Sequence, residues 1–348
     1  MLAAVLYGQE DLRLEKVNDP TPNPGEVVIE VDVATTCGTD LKVWRRGGHA
    51  KMLRPPTLFG HEAAGRIVAM GQGVEGWKIG DRVVANNSAP CMDCFFCDRG
   101  EYSLCQDLLF NNGTFAQYQT IPAQIVKHNL HRIPEGMPTA LASLTEPFAC
   151  VLHGVLRSGL KEKQINGIKP NVVVIGDGAI GLMFVGAIAL QNANVTLFGG
   201  SDSRLDIGQK FGAQETFNHR QIDSIENRVK DLTDGMGADI VIEATGVPEV
   251  WETAIACGRP GATINLFGGC PKETSINVNT ELLHYSELTL KGVFHNTPAI
   301  VRQSLETLAR HELPYELMVN DEQPLENLEQ VFQDMKARKT IKASICPN

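Results

Sequence analysis

Val172-Val173-Val174-Ile175-Gly176-Asp177-Gly178-Ala179-Ile180-Gly181 is the stretch that decides the fold. Four branched apolar residues in succession read as a buried strand, and they run directly into a turn whose three glycines have separate tasks. Gly176 makes the tight turn, Gly178 lets backbone approach a pyrophosphate, and Gly181 lets the next helix pack on the sheet. That helix opens at Ala179 and Ile180, so its N-terminus faces the phosphates. A bare three-glycine pattern says little. With a strand before it and a helix after it, the pattern predicts a dinucleotide-binding α/β unit.

Downstream, strand and helix patterns alternate over residues 171–175, 179–191, 195–198, 204–211, 240–244 and 263–267, which predicts parallel strands with crossover helices. The second strand ends Leu197-Phe198-Gly199-Gly200-Ser201, where an NAD site normally places a carboxylate for the ribose hydroxyls. No acid stands there. The missing charge opens space for a 2′-phosphate held by Ser201 and Arg204, which favours NADP over NAD. The alternatives are that Asp202 substitutes for the missing acid and that Arg204 only caps a helix. Two further strand ends, Ala244-Thr245-Gly246 and Leu266-Phe267-Gly268-Gly269, lie where loops meet a dinucleotide or where simple turns occur.

Upstream, residues 1–150 carry short β-type runs broken by Pro, Gly and Asn clusters, which predicts a β-rich domain with long loops. Within it, Cys91, Cys94, Cys97 and Cys105 are spaced to wrap one tetrahedral zinc with no open position, a structural site. An iron–sulfur cluster is the rival, but the fourth gap is too long for a ferredoxin run and no proline follows Cys105. A second constellation is scattered: Cys37-Gly38-Thr39-Asp40, Gly60-His61-Glu62 and Glu146-Pro147. A thiolate, an imidazole and a carboxylate together leave one tetrahedral position open, as a catalytic zinc requires. Taken singly, each has a packing or helix-edge explanation. Cys150, Cys257, Cys270 and Cys346 have no spacing that suggests a site, and His153 reads as structural.

Composition limits the partners. The 348 residues hold 31 Lys plus Arg against 41 Asp plus Glu, a formal charge of -10, so nothing favours nucleic acid or an anionic membrane. Residues 172–190 approach the length of a membrane span, but Asp177 and four glycines make that the poorer reading. Residues 1–7 read as a first strand, without the flank or cleavage site of a secretion signal. Clustered cysteines with ligand spacing point to a reducing compartment, hence the cytoplasm.

The order Gly60-His61-Glu62-Ala63-Ala64-Gly65, Gly71, Val74, Gly80-Asp81-Arg82-Val83, the four-cysteine lobe and the nucleotide turn resembles the zinc-dependent medium-chain alcohol dehydrogenases over the whole chain. Glu146-Pro147 makes it similar to the sorbitol and threonine dehydrogenase branch. The resemblance implies a GroES-like catalytic domain, residues 1–150 completed by 290–348, around a Rossmann domain, 151–289. It implies Cys37 and His61 as zinc ligands, with Glu62 and Glu146 as ligands or close neighbours. Binding both carboxylates would make the site anionic, so only one is expected to bind at a time. Thr39 would pass a proton outward from the alcohol and Asp40 would orient a ligand.

The expected protein is therefore an enzyme with two zinc ions per chain. It would exchange a hydride between NAD(P) and a secondary alcohol of a polyol, sugar, hydroxy acid or phosphorylated derivative, and relatives are dimers or tetramers. The rivals are a zinc-free reductase on the same fold and a non-catalytic dinucleotide binder with structural zinc alone. One departure stands out: where many relatives carry a relay histidine, this chain has Lys42. Lys42 opens a basic run, with Arg45, Arg46, His49, Lys51 and Arg54, that reads as solvated surface or, at Arg45 and Arg46, as a grip on an anionic substrate.

Overall fold

The computed structural model describes residues 1–48 and 52–348, so His49 and Lys51 of the basic run lie outside the described residues. The chain divides into two compact units, Met1–Ala149 with Asn296–Asn348, and Cys150–His295. The return to the first unit comes at 296 and not at 290. The reason is the strand Thr289–Gly292, which pairs in parallel with Gly258–Leu266 and belongs to the second unit's sheet.

In the first unit, alternation in Val27–Thr35 buries Val27, Ile29 and Val31 and leaves Glu30 and Asp32 partly exposed, the mark of a strand with one wet face. That strand pairs antiparallel with Ala63–Met70 on one side and Lys342–Cys346 on the other, with Tyr118–Ile121 also attached. Register then fixes what meets at one end. Ala34 pairs with Ala63 and Thr35 with Ser344, while Thr35 N donates to Glu62 O at 3.1 Å and Thr36 N to Ala343 O at 3.0 Å. Residues 36–40, 61–62 and 342 therefore share one sheet end although they lie far apart in sequence.

The returning tail is bound to this unit by its helix Leu328–Lys336. Phe332 is fully buried and its ring lies 5.7 Å from Trp44, 5.8 Å from Phe59 and 6.1 Å from Phe115. Burying one such aromatic side chain stabilises the unit by about 1.5–3 kcal/mol. Trp44 lies on the helix Gly38–Arg46, so this aromatic cluster also fixes the helix that follows Cys37.

The second unit has a six-stranded parallel sheet in the order Glu215–Asn218, Asn194–Gly199, Asn171–Ile175, Ala238–Glu243, Gly258–Leu266, Thr289–Gly292. Strand order reverses direction at Asn171–Ile175, and such a switch point opens a crevice at the strand C-termini. The glycine turn lies there. The helix Ala179–Ala189 that follows is almost wholly buried, which explains why its sequence is apolar on every face. Among the described residues no helix is long and apolar enough to cross a membrane.

Candidate active site and metal centres

Cys37 stands at the N-cap of the helix Gly38–Arg46 in extended conformation, and its Sγ accepts a hydrogen bond from Thr39 N at 3.4 Å. A helix N-terminus favours the thiolate, the form that binds metal. Asp40, buried, ties the two nitrogen and sulfur donors together. Its Oδ2 accepts from Cys37 N at 3.0 Å, and its Oδ1 lies 2.7 Å from His61 Nδ1. With the Nδ1 proton given to Asp40, the Nε2 lone pair of His61 is left for a cation. Burial disfavours a charged His61 ring, but the charge and hydrogen bond of Asp40 outweigh it and hold the imidazole well above its ordinary pKa.

Ligand atoms of Cys37, His61 and Glu62 all lie within 4.8 Å of one another, and all three residues are buried. Glu62 is fully buried and divides its two oxygens between different tasks. Oε2 accepts from Thr35 Oγ1 at 2.5 Å and from Lys342 Nζ at 2.5 Å. Oε1, buried and 4.0 Å from His61 Nε2, has no hydrogen-bond partner. Buried carboxylate oxygens are rarely left so. A cation held by Sγ, Nε2 and Oε1 would satisfy it, and a thiolate, an imidazole and a carboxylate together suit zinc. Lys342 is itself buried and also donates to Thr36 O at 2.5 Å; burial works against its ammonium, but the Glu62 charge outweighs it and raises its pKa.

Glu146 is buried in the first turn of the helix Thr145–Arg157 but does not join the group formed by Cys37, His61 and Glu62. Thr39 is half-buried and is the second residue of the helix that Cys37 caps. Arg45 and Arg46 occupy that helix's exposed last turn, about 12 Å along its axis from Cys37, where their charge complements the carbonyl end. Lys42 and Arg54 are likewise exposed. The helix thus carries Arg45 and Arg46 to the end opposite Cys37.

In the lobe, the sulfurs of Cys91, Cys94, Cys97 and Cys105 also lie within 4.8 Å of one another, at 3.4 Å for Cys91–Cys105, 3.9 Å for Cys94–Cys105 and 4.0 Å for Cys91–Cys97. A tetrahedron with zinc–sulfur bonds of 2.3 Å has edges of about 3.8 Å. Thiolates bound to separate irons of a cluster stand farther apart, so the spacing fits one ion. Backbone N–H groups of Gln106 and Cys97 hold the Cys94 thiol down to about 6, whereas burial, then the bonds with Cys94 and Cys105, push Cys97 up to about 12. Four thiolates this close need a cation to ionise together.

At the switch point, Gly176 adopts φ +125°, and a Cβ at Gly181 would meet Gly176 O at 1.8 Å, so only glycine lets this helix and turn approach. Gly178 caps the helix without any side-chain bond, and a Cβ there would meet nothing within 4 Å. An open cradle at a bare helix N-terminus suits a pyrophosphate. Ala244-Thr245-Gly246 lies against it, since a Cβ on Gly176 would meet Thr245 Cγ2 at 3.1 Å. Phe267 N and Gly268 N donate to Glu243 O at 3.1 and 2.9 Å, which brings the next strand end alongside. Gly199 ends the neighbouring strand, Gly200 follows it, Ser201 caps the helix Asp202–Lys210, and Arg204 is half-buried in that helix.

Residues 23–135 match the alcohol dehydrogenase GroES-like domain and residues 179–310 the zinc-binding dehydrogenase domain. The chain is 33% identical over 294 residues to L-threonine 3-dehydrogenase of Pyrococcus abyssi, covering 82% of this chain and 80% of that one. The chain belongs to the zinc-dependent medium-chain alcohol dehydrogenases. Sorbitol dehydrogenase of Bacillus subtilis is 28% identical over 357 residues, 100% of this chain and 98% of its own. A zinc-binding dehydrogenase of Sinorhizobium meliloti 1021, solved with NADP bound, superposes with a TM-score of 0.89 at 25% identity over 99% of both chains.

Three residues of this medium-chain dehydrogenase escaped the sequence reading. Lys342 is one, and its signal was a lone charge in the otherwise buried strand Lys342–Cys346. Glu243 is another: buried at a strand end, its Oε1 accepts from Thr245 N at 2.6 Å and Gly246 N at 3.0 Å and so shapes the loop Ala244-Thr245-Gly246. The third is Asp177, inside the glycine turn, whose Oδ2 accepts from Gly200 N at 2.8 Å and Ser201 N at 2.9 Å. The NADP expectation rested on the lack of an acid at that strand end, and the fold brings one there.

Proposed function

We propose that the enzyme oxidises a secondary alcohol of a polyol, sugar, amino alcohol or hydroxy acid to the ketone, reversibly, with a catalytic zinc held by Cys37, His61 and Glu62 and a structural zinc held by Cys91, Cys94, Cys97 and Cys105. The observation that carries this is the buried, unpartnered Glu62 Oε1 facing a thiol and an imidazole. Zinc supplies Lewis acidity toward the alcohol oxygen, and the nicotinamide supplies the hydride acceptor. Asp40 fixes the tautomer and tilt of His61. Thr35 and Lys342 hold Glu62 by one oxygen and leave the other for the cation. Thr39, at the mouth of the helix with its hydroxyl able to accept and donate, hands the alcohol proton to water.

Glu62 supports the expectation that a single carboxylate binds at a time, with Glu146, outside this group, as the alternate. The cofactor class is NAD(P), and the choice between the two rests with the corner at Gly199–Ser201. Assembly as a homodimer or homotetramer is supported by the terminal sheet strand Thr289–Gly292, beside which Tyr285 is 80% exposed. A cytoplasmic setting is supported by four lobe thiols that form no disulfide.

Metal analysis with a substrate panel tests this reading. About two zinc per chain are expected, with turnover of at least one secondary alcohol among polyols, sugars, amino alcohols, hydroxy acids and their phosphates. About one zinc and no turnover of any of them sinks it. Within the same reading, Cys97→Ser is expected to lower zinc by about one per chain and open the 91–105 loop to protease, with His61-dependent activity retained in part. An unchanged zinc count speaks against the four-sulfur site.

A further inference from the structure

Gly199 ends the strand Asn194–Gly199, and a Cβ there would lie 2.6 Å from Asp177 Cβ and 2.8 Å from Asp177 Oδ2. Any side chain at 199 and the aspartate at 177 would therefore compete for one space. In this chain the glycine turn fills it. Asp177 is 4% exposed, and its Oδ2 takes the backbone N–H groups of both Gly200 and Ser201. Two consequences follow from elementary chemistry. The N–H groups that would otherwise bind an anion at this strand end are already in use. A carboxylate also sets a negative charge where a 2′-phosphate would need a positive one, while it tolerates neutral hydroxyls.

Basic groups border the same corner and pull the other way. A Cβ at Gly200 would lie 2.9 Å from His219 Nε2 and 3.6 Å from Arg220 Nε, and Arg204 follows in the next helix. His219 and Arg220 are exposed to water, which screens them, whereas Asp177 is buried against the strand end. Asp177 is also fixed to the strand end by its two backbone hydrogen bonds.

We propose that Asp177, from the glycine turn, is the residue that selects the adenosine end of the cofactor, admitting NAD and turning NADP away. This rests on the dinucleotide-dependent reading given above. The Sinorhizobium neighbour holds NADP, but the corner in this chain is made by its own residues 177 and 199–201.

Calorimetric titration of the zinc-loaded enzyme with NADH and with NADPH, without alcohol, tests the assignment. The wild-type protein is expected to bind NADH at least about tenfold more tightly, as a like-charge contact demands. Asp177→Asn keeps an oxygen for the Gly200 and Ser201 N–H groups and removes the charge, and it is expected to narrow the ratio by about tenfold, chiefly by tightening NADPH. Asp177→Ser serves the same purpose should the asparagine variant fold poorly. A wild-type preference for NADPH, or a ratio that moves less than about twofold in the variants, overturns the role of Asp177. Failure of both dinucleotides to bind wild type overturns the dinucleotide reading itself, so the two failures are distinguishable.

Discussion

Replacing His61 with alanine is expected to lower kcat/KM by about a thousandfold or more, because several kcal/mol of Lewis-acid stabilisation go with the ion and each 1.36 kcal/mol is a factor of ten. Two donors, Cys37 Sγ and Glu62 Oε1, would remain on a cation that needs three protein ligands, and Asp40 would lose the Nδ1–H it now holds. Zinc content should fall from about two to about one per chain, because the four-sulfur lobe shares no ligand with this group. NADH affinity should stay near wild type, since the glycine turn lies in the other compact unit. Kinetics, zinc analysis and NADH titration on one preparation check all three. Activity within tenfold of wild type at an undiminished zinc count would remove His61 from the metal site.

Lys342→Met is expected to destabilise the metal-free protein by about 3–5 kcal/mol, the usual result of breaking a buried ion pair from one side. Glu62 is fully buried and Lys342 is 1% exposed, with Nζ 2.5 Å from Oε2, so water cannot replace the lost ammonium. Thr35 would still donate to the carboxylate but brings no charge. A divalent ion held by the other oxygen would compensate much of the negative charge. The loss should then shrink to less than half. Urea unfolding of chelator-treated and zinc-loaded enzyme, wild type against variant, measures both. Equal losses in the two forms would mean that lysine and metal do not act on the same carboxylate. Lys342→Arg, which keeps the charge at the cost of shape, should recover part of the stability.

The sequence carried the parallel sheet, because a buried strand, a glycine turn and an apolar helix are each local patterns and their order leaves one arrangement open. It also carried the four-thiol spacing and the Cys37 and His61 pair, but left the carboxylate open between Glu62 and Glu146. The tail's return was legible from the resemblance, but its boundary was not. Thr289–Gly292 is too short to read as a strand until Gly258–Leu266 lies beside it. Nearness along the chain is likewise a poor guide to nearness in space: one helix carries Arg45 and Arg46 to its far end from Cys37.

By itself the sequence determined the two units' architectures and the residue types and glycine turn on which the metal and dinucleotide proposals rest, all set by spacing, glycine sterics and hydrophobic period. Only the tertiary structure decided which carboxylate comes within ligand reach of the thiol and imidazole, which lysine restrains it, and which acid meets the end of the strand Asn194–Gly199. Those choices depend on strand register and on loops from separate strands meeting at one sheet end. Register is fixed by burial across the whole sheet, so no window of the sequence contains it.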